Sequence, residues 1–246
     1  LTAAVLGDPV FSVDDPRVSS AGERRESSAS DSSIVTADVA RALRDVDAPE
    51  TAVNLSPLPF TRQEATSIIK LIPRRQGLLA LDFKANKATA TSPDLSKYRI
   101  VHFATHGLID SLRPELSGIV LSLVDERGDP QDGFLRLHEI YNLNLPAELI
   151  VLSSCRTGLG AEIKGEGLVG LTRGFMYAGA ARLVASQWKV DDEATAVLME
   201  KFYAKIFKEG ERPAAALRAA QIEMWRQKDW KSPFYWAAFA FQGEWR

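Results

Sequence analysis

Two side chains of this 246-residue sequence could together carry covalent chemistry: Cys155, its only cysteine, and His106, about 50 residues upstream. A thiol attacks as thiolate, and a neighbouring imidazole both lowers its pKa and relays the proton to a leaving group. The pair is therefore the candidate nucleophile and base of an acyl transfer. Acyl transfer also develops an oxyanion that preorganised donors must meet. A metal reading of His102 and His106 is weaker, because the residues between them, Phe103-Ala104-Thr105, lack the glutamate of the zinc-peptidase motif and the preceding Ile100-Val101 favours a strand. His102 reads as a structural histidine and His138 as a helix-start residue. Gly158-Leu159-Gly160 makes a poor dinucleotide loop: the third glycine position is Ile163, and no lysine follows Gly165.

The elements that must position the pair are apolar runs. Leu149 to Ser154 (LIVLSS) is apolar on both faces, as in an interior strand of a parallel sheet, and places Cys155 where that strand ends. Tyr98 to Gly107 (YRIVHFATHG) is a second such strand, ending in His106 and Gly107. Ligands of open parallel sheets bind beyond the carboxyl ends of the strands, so both groups face the usual place for a site. Around them the pattern predicts a first strand over Thr2–Leu6, a weak helix over Ser33–Asp45, and a helix over Thr61–Leu71 with a Thr61/Glu64 capping box. Gly77–Phe83 is ambiguous between helix and strand. Gly118–Asp125 and Phe134–Leu137 read as a hairpin followed by a short helix through Tyr141. Next come a helix over Leu168–Ala178, with Gly170 and Gly174 permitting close approach to the sheet and Gly179 as its cap, and a strand over Arg182–Gln187. A helix from Asp191 or Asp192 to Gly210, a helix from Pro213 to about Trp225 and a last strand over Trp236–Phe241 complete the order. Strands alternating with helices predict an α/β helix-sheet-helix sandwich.

The endings strand-His-Gly and strand-Ser-Cys-Arg resemble those of caspase-type cysteine peptidases, in which Cys is followed by Arg and His lies about 50 residues upstream. More of the chain is similar to one branch of that clan, the CHAT domain: LGDPVF from Leu6, HFATHG from His102, LSSCRTG from Leu152, GEGLVGLTRGFMYAGA from Gly165, SQWKVDDEAT from Ser186 and SPFYWAAFAFQGEW near the end. The resemblance implies a caspase-like three-layer sandwich with a mostly parallel central sheet, a cysteine endopeptidase with a Cys155–His106 dyad, and an oxyanion hole made by the backbone N–H groups of Gly107 and Cys155. It further implies that Asp191 and Asp192 lie near the pocket for a basic P1 side chain, which Ser153, Gln187 and Trp188 also line; helix N-capping is the plainer role for either aspartate. No cofactor is implied. The substrate would be a protein, and attached tetratricopeptide repeats or a regulatory partner would gate activity. The alternative is a catalytically idle interaction or signalling module on the same fold.

Length and 46% hydrophobic content suit one large domain over residues 1–246. Within it, residues 14–33 are rich in Ser, Asp, Glu and Arg and are expected to form a flexible insertion, of a kind that peptidases of this clan can cleave during maturation. A net charge of −2 argues against direct nucleic-acid binding. No run reaches the roughly 20 apolar residues of a membrane span, and no signal peptide is visible. A lone cysteine forms no internal disulfide, which suits the cytoplasm. The chain starts at Leu1 without methionine, as a piece of a longer protein would.

Overall fold

The computed structural model describes residues 1–19, 55, 57–109, 117–157 and 166–244. In chain order its elements are β1 (Ala3–Gly7), α1 (Pro59–Lys70), β2 (Gly77–Ala80), α2 (Lys87–Ala90), β3 (Ile100–Ile109), β4 (Gly118–Val120), β5 (Phe134–Arg136) and α3 (Leu137–Tyr141). They continue with β6 (Leu149–Thr157), α4 (Glu166–Tyr177), β7 (Arg182–Ser186), α5 (Asp192–Glu209), α6 (Pro213–Arg226) and β8 (Phe239–Gly243).

The sheet runs β2-β1-β3-β6-β7-β8. Every neighbouring pair along it is parallel except β7–β8, and the hairpin β4–β5 joins antiparallel through the end of β3. Successive strand residues point to opposite faces, and both faces are covered. Leu6, Val101, Phe103, Ile150 and Leu152 pack with Ile140 of α3 and with Leu171 and Phe175 of α4. Val5, Ile100, Val151 and Val184 pack with Ile68 of α1, Leu198 and Phe202 of α5 and Leu217 of α6. This is the helix-sheet-helix sandwich that the order of elements predicted, with the mostly parallel sheet that the resemblance implied. Burial on both faces explains why the central strands read as unbroken apolar runs.

Several local expectations change. Pro59 opens α1 two residues before Thr61, since proline is preorganised for the first turn. The Thr61 hydroxyl then donates back to the Leu58 carbonyl at 2.7 Å, and Glu64 turns into the interior, so the capping box is absent. Gly77–Phe83 resolves as the short edge strand β2 followed by a 3-10 turn at Asp82–Lys84. Gly174 faces α3 rather than the sheet: a Cβ there would lie 2.9 Å from Leu137 Cδ1. The last strand is displaced toward the C-terminus because a 3-10 turn occupies Pro233–Tyr235. Residues 14–19, the start of the expected insertion, form turns. Arg17 ties them down, with Nη1 2.9 Å from the Asp8 carbonyl and 2.7 Å from Asp82 Oδ1. The rest of that insertion and the helix expected at Ser33–Asp45 lie outside the described residues.

Candidate active site

Strand register brings the His106-Gly107 step of β3 beside the Ser154-Cys155 step of β6. On the neighbouring parallel strands β3 and β6, His106 is level with Ser154 and Gly107 with Cys155. Adjacent strands lie about 4.8 Å apart, so the His-Gly and Ser-Cys steps are neighbours near the carboxyl ends of β3 and β6, although the strands do not end at these residues as expected but pair on to Ile109 and Thr157. β3 gains one residue relative to β6 between Phe103 and His106. That bulge resets the alternation which sends His102 toward α1 and α5 and Phe103 toward α4, and bulges of this kind re-aim side chains beside active sites. Thr105 fixes the bulge, its hydroxyl donating to the Val120 carbonyl at 2.5 Å.

The imidazole of His106 is 4% exposed and packs against Phe11, ring centroids 5.2 Å apart. Gly107 is paired on both sides, with Cys155 on β6 and Ile119 on β4.

The other predicted residues follow β6 and β7. Ser153 is fully buried, and its hydroxyl has no hydrogen-bond partner among the described residues. Leu152 pairs with Ala185, so Ser153 lies at the level where β7 ends in Ser186. The chain then turns through Gln187, which is exposed, and Trp188, whose Nε1 donates to the Phe234 carbonyl at 3.1 Å. Asp191 is the N-cap of α5, accepting from the Ala194 N–H at 2.9 Å. Asp192 instead reaches α1, its Oδ2 accepting from the Phe60 N–H at 2.9 Å while Oδ1 has no hydrogen-bond partner among the described residues. Burial, opposed by that hydrogen bond and reinforced by the nearby negative charges of Glu64, Asp191 and Asp8, raises its pKa to about 6.

The end of β1 carries charges of its own. Asp8, in left-handed backbone at φ 48°, accepts from Arg62 Nε at 2.7 Å, and both Arg62 and Arg17 bond Asp82. A groove of about 550 Å³ beside this cluster is walled by Leu79, Leu81 and Phe83. None of the predicted site residues lines it.

A family model described as the CHAT domain matches residues 4–244. The chain belongs to the CHAT domain family. The family is related to caspase-like peptidases, in keeping with the mostly parallel sandwich. Among curated proteins this CHAT chain is similar to Tetratricopeptide repeat protein 28 of Homo sapiens, 25% identical over 218 residues, which cover 76% of this chain and 8% of that protein. The Mus musculus protein of the same name is 24% identical over 216 residues, covering 76% of this chain and 9% of that protein. The CHAT chain thus spans less than a tenth of the length of these repeat-containing relatives. Among its described residues, no helix is long and apolar enough to cross a membrane.

Sequence reasoning assigned no part in the site to Phe11, Glu64 or Tyr203. For Glu64 a signal existed: with Thr61, Ala65 and Ile68 it completes the buried stripe of α1, where a carboxylate is out of place.

Proposed function

We propose that this CHAT domain is a cysteine endopeptidase. The observation that carries the reading is the register that puts His106-Gly107 beside Ser154-Cys155 at the carboxyl rim of the sheet. In the reaction, His106 takes the Cys155 thiol proton and the sulfur attacks the scissile carbonyl of a protein substrate. The resulting oxyanion is met by the backbone N–H groups of Gly107 and Cys155. The C–N bond breaks, the leaving amine takes the proton from the imidazolium, and a thioester remains. His106 then deprotonates a water that attacks the thioester, and the carboxylic acid and free thiol are released.

Substrate recognition falls to Ser153, Gln187, Trp188, Asp191 and Asp192, which follow β6 and β7 onto the same rim. With two carboxylates among them, a basic P1 side chain is the better fit. Asp191 is already engaged as a helix cap, so Asp192 is the stronger candidate of the two.

Activity is gated. Phe11 lies against the His106 ring, and Gly107 is held between two strands, so the rim must open before a scissile carbonyl can enter. The tetratricopeptide-repeat names of the relatives make an attached repeat region or a partner the source of that signal. Those same names carry no activity, which favours a second reading, a CHAT interaction module without catalysis.

Acyloxymethyl ketone peptides with a basic or an acidic P1 residue, offered with and without partners from the native cell extract, separate the two. Covalent labelling of Cys155 that is lost in His106→Ala supports the peptidase. Labelling of neither form under any of these conditions supports the module.

A further inference from the structure

Four residues before His106, the same strand carries a polar side chain that the proposed reaction does not use. His102 is fully buried between α1 and α5. Its Nε2 lies 2.8 Å from Glu64 Oε1, and its Nδ1 lies 3.0 Å from the Tyr203 hydroxyl, with the two rings edge-on at 5.6 Å. Glu64 and Tyr203 are fully buried as well, and neither Glu64 carboxyl oxygen nor His102 Nε2 makes an aligned hydrogen bond among the described residues, so Glu64 and His102 meet as a close polar approach. Burial, reinforced by Glu64, pushes the Tyr203 pKa well above its usual value, so its hydroxyl stays protonated. Both ring nitrogens of His102 therefore face polar groups, Glu64 on α1 and Tyr203 on α5.

As a source of stability such a set is inferior to apolar side chains of the same volume, because desolvating the charge offsets the attraction. What it supplies is direction. A bulged strand is poorly phased by its ladder alone, and β3 is bulged between Phe103 and His106. The His102 contacts fix the rotation of β3 just before the bulge, and the Thr105 hydroxyl fixes it just after. We propose that Glu64, His102 and Tyr203 are positioning residues that set the aim of the His106 imidazole. The inference rests on the dyad reading above.

The test is the rate of Cys155 alkylation by iodoacetamide as a function of pH, a site-specific readout because the chain has one cysteine. In the parent chain the midpoint is expected below the ordinary thiol value of about 8.5. Tyr203→Phe, which keeps the ring, and Glu64→Gln, which keeps the volume, should move it back toward that value by about one pH unit. Each should also slow alkylation at pH 7 about tenfold. A purely structural role would lower the melting temperature and leave the midpoint in place. A depressed parent midpoint that either folded variant retains overturns the positioning role alone. A parent midpoint at the ordinary value overturns the dyad reading and this inference with it. If Glu64→Gln does not fold, Tyr203→Phe decides.

Discussion

Gly107 on β3 stands level with Cys155 on β6, one strand spacing away, while its other side is paired to Ile119 of the β4–β5 hairpin. Of the two proposed oxyanion donors, Gly107 is therefore held from both sides, and whatever loosens the hairpin disturbs the rim.

Gly118→Ala tests that coupling. A Cβ at Gly118 would lie 2.5 Å from the Leu135 carbonyl oxygen and 2.8 Å from the Phe134 ring, so β5 must shift away from β4, whose Gly118 pairs with Leu108. The variant should lose about 2 kcal/mol of stability, a typical overpacking penalty. Its Cys155 alkylation should change as well, whereas Gly210→Ala, with nothing within 4 Å of the added Cβ, should leave alkylation unchanged. Urea titration and the alkylation rate provide the two readings.

His102→Ala should be among the most destabilising single changes in the chain. It removes a buried ring and leaves the Glu64 carboxylate enclosed without its partner, a loss of about 3 kcal/mol or more. His102→Ala combined with Glu64→Leu should recover part of that loss, because the buried carboxyl group left without its His102 neighbour is then gone. Chemical denaturation of both variants measures the difference.

Asp192 predicts a pH dependence with a definite sign. Its pKa rises from the usual 3.8 to about 6 on folding, chiefly through burial, so between those values the folded chain holds more protons than the unfolded one. This contribution to stability is greatest below about pH 4, falls as pH rises to about 6 and is flat above. Asp192→Asn can still accept from the Phe60 N–H but carries no charge. It should be more stable than the parent at pH 7, and the gap should close toward pH 4. Thermal melts across that range check this.

Arg17 bridges Asp8, Asp15 and Asp82 with its side chain 26% exposed. Arg17→Gln should release the turn that begins the Ser-rich segment and increase its cleavage by a non-specific protease, with a stability loss of only about 1 kcal/mol because the pairs are partly solvated. Limited proteolysis with mapping of the first cut sites reads the outcome.

Much of this architecture was legible because burial on both faces leaves a strong mark: β3 and β6 read as unbroken apolar runs, and both point to the region where His106-Gly107 lies beside Ser154-Cys155. The misreadings were local. Thr61 and Glu64 have capping-box spacing, yet Pro59 two residues earlier starts the helix and sends Glu64 inward. The bulge between Phe103 and His106 has no composition signal, since its residues, Ala104 and Thr105, suit an ordinary strand. The Glu64–His102 contact joins residues 38 positions apart on a helix and a strand. Periodicity could mark each as buried but could not pair them.

The peptidase reading is tested most directly by the protein N-termini released when a native proteome is treated, in the presence of its endogenous partners, with the intact chain or with its Cys155→Ala form. The account predicts a set of cleavage sites, weighted toward basic P1 residues, that appears with the intact chain and disappears with both Cys155→Ala and His106→Ala. Identical N-terminal profiles for the intact and Cys155→Ala chains would contradict it.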